Sequence, residues 1–419
     1  MMKITSVNKD FDISVGLVGS KSESNRALMI CHYAGLEPAI CNLSAADDTN
    51  LTIELLKKID NQIERKQNSY REIDCQNAGT VFRFLTTALA LKSGKWLLTG
   101  SERMQKRPVK DLVDALRQLG ADIEYQDDEG FPPLLINGGN LKGGEASVNV
   151  SKSSQYASSL LLAAPCFENG LRLHLEGELT SLPYIDMTIE IMSEYGAEVH
   201  RDNRDVSVEH SDYQNVKYTV ESDWSAASYW YEMVALSRNG RVFLENLKMN
   251  SVQGDKIVAG VFERFGIVSH EKRNGVMIEK SGKLIDNDLE FDFVNTPDLF
   301  PAVVATCAGL GVNATFTGLK NLAIKESDRI SVMVSELRKI GAEFEKISDD
   351  MLKIKLLRNL KLFSEENPVV FDSHDDHRIA MSLAPLSLKI GAVEMENAEA
   401  VSKSYPNFWV EFRKVSAEL

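Results

Sequence analysis

The chain has 419 residues, of which 43% are hydrophobic and 26% charged, as in globular proteins of two or more domains. Its formal charge of −14 disfavours nucleic acid as a partner, because binding nucleic acid depends on basic patches, whereas a locally basic cleft for a small anion stays open. Five scattered cysteines without a CxxC pair argue against a disulfide framework and against a metal site.

The N-terminal segment and the longest apolar stretch bear on location. Met1 to Ser6 show neither the apolar core of a secretion signal nor a transit pattern. The apolar stretch Leu299 to Val312 contains a proline and is too short to span a bilayer. We therefore expect a cytoplasmic protein without a membrane partner.

The first predicted helix begins within Gly19 to Arg26, which reads Gly-Ser-Lys-Ser-Glu-Ser-Asn-Arg. Serine and asparagine suit a first turn, because their side chains accept hydrogen bonds from its free N–H groups. Lys21 and Arg26 do not suit it, because the helix dipole disfavours cations there by a few tenths to ~1 kcal/mol each. Cations at such a place indicate a bound anion.

Two patterns recur along the chain. In the first, a helix ends at a glycine and a short strand follows, at Gly120, Gly196, Gly266 and Gly341. In the second, a small or polar first turn leads into an apolar helix, with starts near Lys21, Ala78, Ser153, Asp223, Thr296 and Asp375. These starts lie 57 to 79 residues apart, which predicts six units of strands and two helices, the first of them shortened.

Six units of about 70 residues are too long for a helical solenoid. Three units in each of two similar domains fit the length, with a break near Glu221 and Ser222. We predict one domain from residues 1–19 with 222–419 and a second from 20–221. Polar loops or hairpins are predicted at 62–70 and 201–212, and the shortened unit indicates a deletion between residues 60 and 75.

Basic residues stand at equivalent places in different units, at or just before predicted helix starts. They are Lys21, Arg26, Arg83, Arg103, Arg107, Lys325, Arg329 and Arg378. Each taken singly fits a surface charge or a salt bridge. Helix starts that converge would form a site for several anionic groups, with each charge-assisted hydrogen bond worth ~1.5–3 kcal/mol.

Eight short motifs follow one another from residue 19 to residue 404. They are Gly19-Ser20-Lys21-Ser22 with Ser24-Asn25-Arg26, Asn77-Ala78-Gly79-Thr80 with Arg83, Arg103-Met104 with Arg107-Pro108, Ser153-Ser154-Gln155, Pro183-Tyr184-Ile185-Asp186, Lys325-Glu326-Ser327-Asp328-Arg329, Asp376-His377-Arg378 and Val401-Ser402-Lys403-Ser404. In this order they resemble the motifs of the 5-enolpyruvylshikimate-3-phosphate synthases, also called 3-phosphoshikimate 1-carboxyvinyltransferases. The resemblance covers essentially the whole chain.

The resemblance implies an α/β (α+β) fold of two similar domains, each of three βαβαββ-type units, with the active site in the cleft between them. It implies transfer of the enolpyruvyl group of phosphoenolpyruvate to the 5-hydroxyl of shikimate 3-phosphate, with release of phosphate, in the shikimate pathway of aromatic amino acid biosynthesis. It further implies a monomer that needs no cofactor and no metal.

The resemblance also assigns site residues. The family's phosphoenolpyruvate site falls on Lys21, Asn77, Gly79, Arg107, Gln155, Arg329, Arg378 and Lys403. Its shikimate-3-phosphate site falls on Lys21, Ser22, Arg26, Ser153, Ser154, Gln155, Ser181, Asp298, Asn321 and Lys325. Asp298 is the predicted base for the 5-hydroxyl. Glu326, beside the catalytic Lys21, is the predicted acid for the methylene carbon, with stabilisation of the oxocarbenium-like charge before the tetrahedral intermediate as its alternative role. From local sequence alone, Asp298 equally fits a helix cap and Glu326 a first-turn charge on the helix dipole.

Other polar residues near these motifs have simpler interpretations. Asp375, Asp376 and the run Asp47-Asp48-Thr49 are predicted helix caps, and so is Asp223, for which a hinge or site-wall role stays open. His377 is predicted to orient Arg378 or to line the site rather than to transfer protons.

The chain departs from the family pattern at four positions. Val18 and Phe84 replace prolines, Gln76 replaces a common glycine, and Leu182 replaces a lysine. Gly79 keeps the space that glyphosate-sensitive members have, so we expect inhibition by glyphosate.

Three rival functions remain at this stage. Enolpyruvyl transfer to a UDP-amino sugar uses the same fold, but that family has a loop cysteine and none lies near residues 103–108. A non-catalytic sensor of phosphorylated ligands would not need Asp298 and Glu326. An RNA-end-processing protein is disfavoured by the charge of −14.

Overall fold

A computed structural model describes residues 1–61, 69–282, 288–355 and 360–418. Its α-helices are α1 (Lys21–Ala34), α2 (Asp47–Asn61), α3 (Gly79–Leu91), α4 (Glu102–Gln105), α5 (Lys110–Gln118), α6 (Gln155–Ala163), α7 (Leu182–Glu194), α8 (Trp224–Leu236), α9 (Val258–Glu263), α10 (Phe300–Leu310), α11 (Arg329–Lys339), α12 (His377–Leu383), α13 (Ser387–Ile390) and α14 (Phe408–Phe412). Short 3-10 helices span Ala164–Cys166, Gly254–Ile257, Pro297–Leu299, Lys320–Ile324, Ala384–Leu386 and Ala398–Lys403.

The β-strands within the described ranges are short, between two and seven residues long. They are β1 (Met2–Ile4), β2 (Ser6–Val7), β3 (Asp10–Val15), β4 (Ile40–Cys41), β5 (Arg71–Asp74), β6 (Gly94–Thr99), β7 (Asp122–Tyr125), β8 (Leu134–Gly138), β9 (Gly144–Asn149), β10 (Leu171–Glu176), β11 (Val199–Asp202), β12 (Asp205–Val208), β13 (Tyr218–Thr219), β14 (Asn239–Glu245), β15 (Ile267–Lys272), β16 (Gly275–Lys280), β17 (Leu289–Asp292), β18 (Ala314–Thr317), β19 (Glu343–Ser348), β20 (Met351–Lys355), β21 (Val369–Asp372), β22 (Val393–Glu396) and β23 (Ser416–Glu418).

The chain divides into two compact units. Unit 1 contains Met1–Ser20, Ser44–Asp47 and Glu221–Leu419, and unit 2 contains Lys21–Leu43 and Asp48–Val220. Each unit has its own hydrophobic core. The domain bounds predicted from the sequence, and the cleft expected between the domains, stay predictions.

Four sheets repeat one topology. Unit 2 contains the sheets β5-β6-β8-β7 and β9-β10-β12-β11, and unit 1 contains β3-β14-β16-β15 and β17-β18-β20-β19. In each sheet the first two strands along the chain pair in parallel, and the last two form an antiparallel hairpin against the second. In three of these sheets a helix follows each of the first two strands; in the sheet that begins with β3, the chain passes through unit 2 and returns at α8 before β14. This is the predicted βαβαββ unit, which is therefore confirmed.

The two remaining units are reduced. In unit 1, β21 pairs in parallel with β22, and β1 completes a three-stranded sheet. In unit 2, α1 and α2 flank the short strand β4, which pairs in parallel with β13. The predicted deletion and polar loop before residue 75 include residues 62–68, which lie outside the described residues. The hairpin predicted at 201–212 is confirmed in part by β11 and β12.

Two enclosed helices begin next to site residues, α10 directly after the 3-10 helix that contains Asp298 and α3 at Gly79. α10 is apolar on all sides, and its residues Phe300–Gly309 are buried, as expected for a helix enclosed in a core. α3 is similarly enclosed in unit 2 and begins at Gly79. The glycines predicted to end helices, at 120, 196, 266 and 341, all have positive φ, which confirms that part of the repeat. Within the described ranges, no helix is both long and apolar enough to cross a membrane.

Candidate active site

In unit 1, three carboxylates surround one buried arginine. Arg329 Nη1 donates to Asp298 Oδ1 at 2.8 Å, Nη2 to Glu326 Oε2 at 2.9 Å and Nε to Asp376 Oδ2 at 2.9 Å. Arg378 Nη2 donates to the second oxygen of Asp298, also at 2.8 Å. We call these five residues the acid–arginine cluster. The structure thus brings together four residues that the resemblance assigned to catalysis and to phosphoenolpyruvate.

Short local signals in the sequence set the positions of these side chains. Arg329 is the first residue of α11, whose N-cap Asp328 accepts from the backbone N–H of Ser331. Arg378 follows the N-cap Asp376 at the start of α12. Because both arginines stand in first turns, the backbone dipoles there add to their positive charge. The pairing with carboxylates compensates this concentration of charge.

The cluster has strongly perturbed acid–base properties. Arg329 is 1% exposed, and although burial works in the opposite direction, Asp376, Glu326 and Asp298 raise its pKa above the ordinary range. Burial alone would raise the pKa of Asp298, but Arg378, Arg329 and Lys325 hold it well below the ordinary value. Asp298 is therefore a stable anion in this arrangement and a weak base.

Asp376 has two roles, of which the sequence predicted one. Its Oδ1 accepts from the backbone N–H of Arg378 at 3.0 Å, which confirms the predicted cap. It is also fully buried and binds the side chain of Arg329 and the hydroxyl of Ser327. Asp376 thereby links the helix that carries Arg378 to the side chain of Arg329.

Three alternatives from the sequence are corrected by the geometry. Asp298 does not cap its helix, since the 3-10 helix at Pro297 has no side-chain cap and both oxygens of Asp298 bind arginines. Glu326 lies before α11 rather than in its first turn. Asp375 was predicted to cap α12, but the N-cap is Asp376, and Asp375 is exposed with φ 56°.

His377 and Asp223 follow their sequence interpretation only in part. His377 is 1% exposed, with Nδ1 3.6 Å from Asp376 Oδ1, so it is buried beside the cap rather than lining an open site. Asp223 caps α8 by accepting from the backbone N–H of Ala226 at 2.8 Å, as predicted.

The sequence analysis missed two residues beside the cluster. Tyr229 places its hydroxyl 3.4 Å from Arg378 Nη1. Asp255 is 4% exposed and accepts from the hydroxyl of Ser225, and burial, followed by repulsion from Asp298, raises its pKa to about 7. Tyr229 lies in the apolar helix α8, and Asp255 lies in the 3-10 helix before α9, which is not one of the six repeated helix starts, so the pattern that found the arginines did not include them.

In unit 2, Gly79 lies against two guanidinium groups. A Cβ atom added at Gly79 would lie 2.7 Å from Arg107 Nη1 and 2.6 Å from Arg83 Nη1. Arg83 is itself bound by the carbonyl oxygens of Gly79 and Pro108, both at 3.0 Å. Gln155 Nε2 donates to Thr80 Oγ1 at 3.0 Å. The predicted residues Gly79, Arg107 and Gln155 therefore lie around the start of α3.

Arg26 is held by four protein groups in the same unit. Its Nε donates to Thr188 Oγ1 at 2.7 Å and its Nη1 to Ser22 O at 2.9 Å. Its Nη2 donates to Ser158 Oγ and Tyr184 O, both at 3.1 Å. Burial lowers the pKa of Arg26 to about 10. Among the residues that the structure describes, four of its five N–H groups have acceptors that fix its orientation, and the second N–H on Nη1 is the one without.

Lys21 and the other predicted anion ligands lie in turns and first turns. Lys21 Nζ lies 3.1 Å from Asp48 Oδ2, so Asp48, which was interpreted as part of a helix cap, forms an ion pair; the cap predicted at 47–49 stays a prediction. Ser153 Oγ accepts from the backbone N–H of Gln155 at 3.2 Å. The remaining predicted ligands are Asn77 and Ser154 before α3 and α6, Ser181 before α7 with φ 55°, Asn321 and Lys325 in and after the 3-10 helix before α11, and Lys403 at the end of the 3-10 helix Ala398–Lys403.

Two departures from the family pattern have a local explanation. Gln76, where a glycine is common, has φ 49°, in the left-handed region that glycine adopts easily. Phe84, where a proline is usual, is buried with its ring 5.6 Å from Arg26 Cζ. Its ring therefore contacts the guanidinium that Thr188 and Ser158 orient.

The repeated βαβαββ sheets in two units define the enolpyruvyl transferase fold. In agreement, a solved structure of EPSP synthase from Acinetobacter baumannii has the same fold, with a TM-score of 0.77 at 22% identity over 99% of this chain and 98% of the other. The family model of EPSP synthase (3-phosphoshikimate 1-carboxyvinyltransferase) matches residues 7–412. The chain belongs to this family.

Relatives of known activity match along nearly their whole length. A 3-phosphoshikimate 1-carboxyvinyltransferase from Bacteroides fragilis (strain YCH46) is 40% identical over 415 residues, covering 99% of this chain and 98% of the relative. The enzyme of the same name from Sulfurovum sp. (strain NBC37-1) is 35% identical over 422 residues, covering 96% of both chains. The family membership predicted from the motifs is thus confirmed.

Proposed function

We propose that the chain transfers the enolpyruvyl group of phosphoenolpyruvate to the 5-hydroxyl of shikimate 3-phosphate, forming 5-enolpyruvylshikimate 3-phosphate and phosphate. Family membership along nearly the whole chain supports the reaction. The geometric observation that carries it is the pair Arg329 and Arg378, whose guanidinium groups bind the two oxygens of one carboxylate. Such a pair is suited to the carboxylate of phosphoenolpyruvate.

The proposed binding of phosphoenolpyruvate uses its two anionic groups separately. Its carboxylate binds Arg329 and Arg378. Its phosphate binds the remaining predicted residues, namely Lys21, Asn77, Gly79, Arg107, Gln155 and Lys403. The close approach of Arg107 to Gly79 supports this assignment, because it places a guanidinium group beside the first turn of α3, where helix N–H groups favour an anion.

Shikimate 3-phosphate brings a second carboxylate and a second phosphate. The proposal places them on Lys21, Ser22, Arg26, Ser153, Ser154, Gln155, Ser181, Asn321 and Lys325, with Asp298 at the 5-hydroxyl. The fixed orientation of Arg26, with one N–H on Nη1 left over, supports a role in positioning this substrate. Ordering both substrates converts a bimolecular reaction into an effectively unimolecular one.

The chemistry proceeds by addition and elimination. Asp298 takes the proton of the 5-hydroxyl while the oxygen of that hydroxyl forms a bond to C2 of phosphoenolpyruvate. Glu326 delivers a proton to C3. In the tetrahedral intermediate, the Glu326 carboxylate then takes a proton back from C3 as the bond from C2 to the phosphate oxygen breaks and phosphate leaves. Each positioned acid or base typically contributes ~10²–10⁴-fold to the rate.

The contacts of Glu326 hold it in position for its proposed role. One of its oxygens, Oε2, accepts from Arg329 Nη2 at 2.9 Å, and the side chain is 11% exposed. Arg329 thus fixes the carboxyl group of Glu326 beside the place where the carboxylate of phosphoenolpyruvate is proposed to bind. Glu326→Gln should leave both substrates bound and remove most of kcat; a variant with near-native kcat would exclude Glu326 as the acid.

Oligomeric state and location complete the proposal. We propose a monomer, as expected from the sequence analysis, and sedimentation of the pure protein would test this. We propose a cytoplasmic location because Cys31, Cys75 and Cys307 are buried free thiols, which suit a reducing compartment.

The experiment that tests the proposed function is a phosphate-release assay on the pure protein. We expect release with phosphoenolpyruvate and shikimate 3-phosphate, and none when UDP-N-acetylglucosamine replaces the latter. Release only with the UDP-sugar would favour the rival transferase. Binding of both substrates without turnover would favour the sensor function.

A further inference from the structure

Asp298 accepts hydrogen bonds from the two arginines that the proposed function assigns to the substrate carboxylate. Its Oδ1 accepts from Arg329 Nη1 and its Oδ2 from Arg378 Nη2, each at 2.8 Å. A carboxylate that bridges two guanidinium groups in this way lies where a carboxylate ligand would bridge the same two groups. The site residue and the substrate group therefore compete for one place.

Arg329 offers a ligand few other donors. Its Nε and Nη2 bind Asp376 and Glu326, and its side chain is 1% exposed. The Nη1 group binds Asp298, which the proposed reaction requires as a base at the 5-hydroxyl rather than as a partner of Arg329. Asp376 and Glu326 keep the guanidinium in place when Asp298 leaves it.

The same pairing conflicts with the role of Asp298 as a base. Two guanidinium groups bind its oxygens, and the charges of Arg378, Arg329 and Lys325 hold its pKa well below the ordinary value. A carboxylate in that state has little tendency to take a proton from a hydroxyl group. The two roles are compatible only if Asp298 changes partners during the catalytic cycle.

We propose that the carboxylate of phosphoenolpyruvate displaces Asp298 from Arg329 and Arg378, and that the displaced carboxylate then binds the 5-hydroxyl of the second substrate. Asp298 thus takes the place of the substrate carboxylate until substrate binds. It becomes a competent base only when substrate has replaced it on the arginines. This inference rests on the proposed function and adds to it a substrate-dependent activation of the base.

The proposal has a consequence that a simple catalytic base would not have. Removing the charge of Asp298 removes a competitor, so phosphoenolpyruvate should bind more tightly although turnover is lost. A base that does not compete would leave affinity unchanged. A residue that attracts or orients the substrate would make binding weaker when it is removed.

The experiment measures dissociation constants by titration calorimetry on the full-length protein and its variants. Asp298→Asn and Asp298→Ala should bind phosphoenolpyruvate at least tenfold tighter than the wild type, because each charge-assisted hydrogen bond is worth a factor of roughly ten or more. Two variants are used because the Asn amide oxygen retains one acceptor. Thermal melting first establishes that each variant is folded.

Two controls separate competition from a general effect of charge. Asp375→Asn removes a carboxylate from an exposed residue next to the cap, at a left-handed backbone position that Asn tolerates, and should leave affinity within twofold of the wild type. Vinyl phosphate, which lacks the carboxylate, should gain less than twofold from the Asp298 substitutions. An equal gain for vinyl phosphate, or unchanged or weaker binding of phosphoenolpyruvate, would overturn the proposal.

Phosphate release by the wild-type protein distinguishes failure of this inference from failure of the proposed function. Release by the wild type together with unchanged affinity in the Asp298 variants would refute the displacement and leave the reaction in place. Absence of release would refute the reaction itself.

Discussion

Replacement of Gly79 by alanine should impair binding of phosphoenolpyruvate without unfolding the protein. The added Cβ would lie 2.7 Å from Nη1 and 2.8 Å from Cζ of Arg107, and 2.6 Å from Nη1 of Arg83. Carbon and nitrogen atoms in ordinary contact are about 3.5 Å apart, so a guanidinium group must move by nearly 1 Å. Arg83 is tied to two carbonyl oxygens, so Arg107 is the group expected to move.

The size of the effect follows from the contact that is lost. A charge-assisted hydrogen bond from Arg107 to the substrate is worth ~1.5–3 kcal/mol, which corresponds to a roughly 10- to 100-fold rise in KM for phosphoenolpyruvate. The value of kcat should change much less, because the acid–arginine cluster is unaltered. Stability should hold, because Gly79 is the first residue of α3 and has no positive φ.

Steady-state kinetics with varied phosphoenolpyruvate provides the assay. Gly260→Ala is the matched control, since a Cβ added at this position in α9 has no atom within 4 Å and should leave KM unchanged. A wild-type KM in Gly79→Ala, or an equal rise in Gly260→Ala, would refute the assignment of Arg107.

Three further variants test other parts of the structure. Asp376→Asn weakens a buried pair with Arg329 and should lower the free energy of unfolding by ~3 kcal/mol, measured by thermal denaturation; an unchanged melting temperature would contradict the pairing. Thr188→Val leaves Nε of Arg26 without its acceptor and should raise KM for shikimate 3-phosphate severalfold at nearly constant kcat, while Thr188→Ser should restore it. Burial raises the pKa of Asp255 from 3.8 to about 7, so the native state retains a proton that the unfolded state loses between about pH 4 and 7. The wild type should therefore lose up to ~1.4 kcal/mol of stability per pH unit in that window, and Asp255→Asn should gain more over the wild type at pH 8 than at pH 5 in urea denaturation. An equal gain at both values would contradict the shifted pKa.

The repeated architecture could be predicted because it depends on local signals. Helix-ending glycines such as Gly196 and capped starts such as Asp223 are visible in the sequence. Their spacing gave the number of units before any pairing of strands was known. The reduced sheets could not be predicted in the same way, because the pairing of β1 with β22 depends on residues almost 400 positions apart.

The residues of the candidate site could be predicted where a basic side chain lies in the first turn of a helix, and could not be predicted elsewhere. Arg329 and Arg378 could be identified because the helix dipole disfavours cations in a first turn, which indicates that an anion binds there. The low pKa of Asp298 and the buried position of Asp255 arise from neighbours distant in sequence, so no local pattern encodes them. Local sequence therefore indicated which charged residues belong to the site, whereas their ion pairs, burial and pKa values depend on the folded structure.

Direct detection of the product tests the central claim most directly. The pure protein, mixed with shikimate 3-phosphate and phosphoenolpyruvate, is followed by phosphorus NMR and mass spectrometry. Enolpyruvyl transfer predicts equal amounts of inorganic phosphate and 5-enolpyruvylshikimate 3-phosphate, both lost in Glu326→Gln. Phosphate without the enolpyruvyl product, or no reaction in the folded wild-type protein, would contradict it.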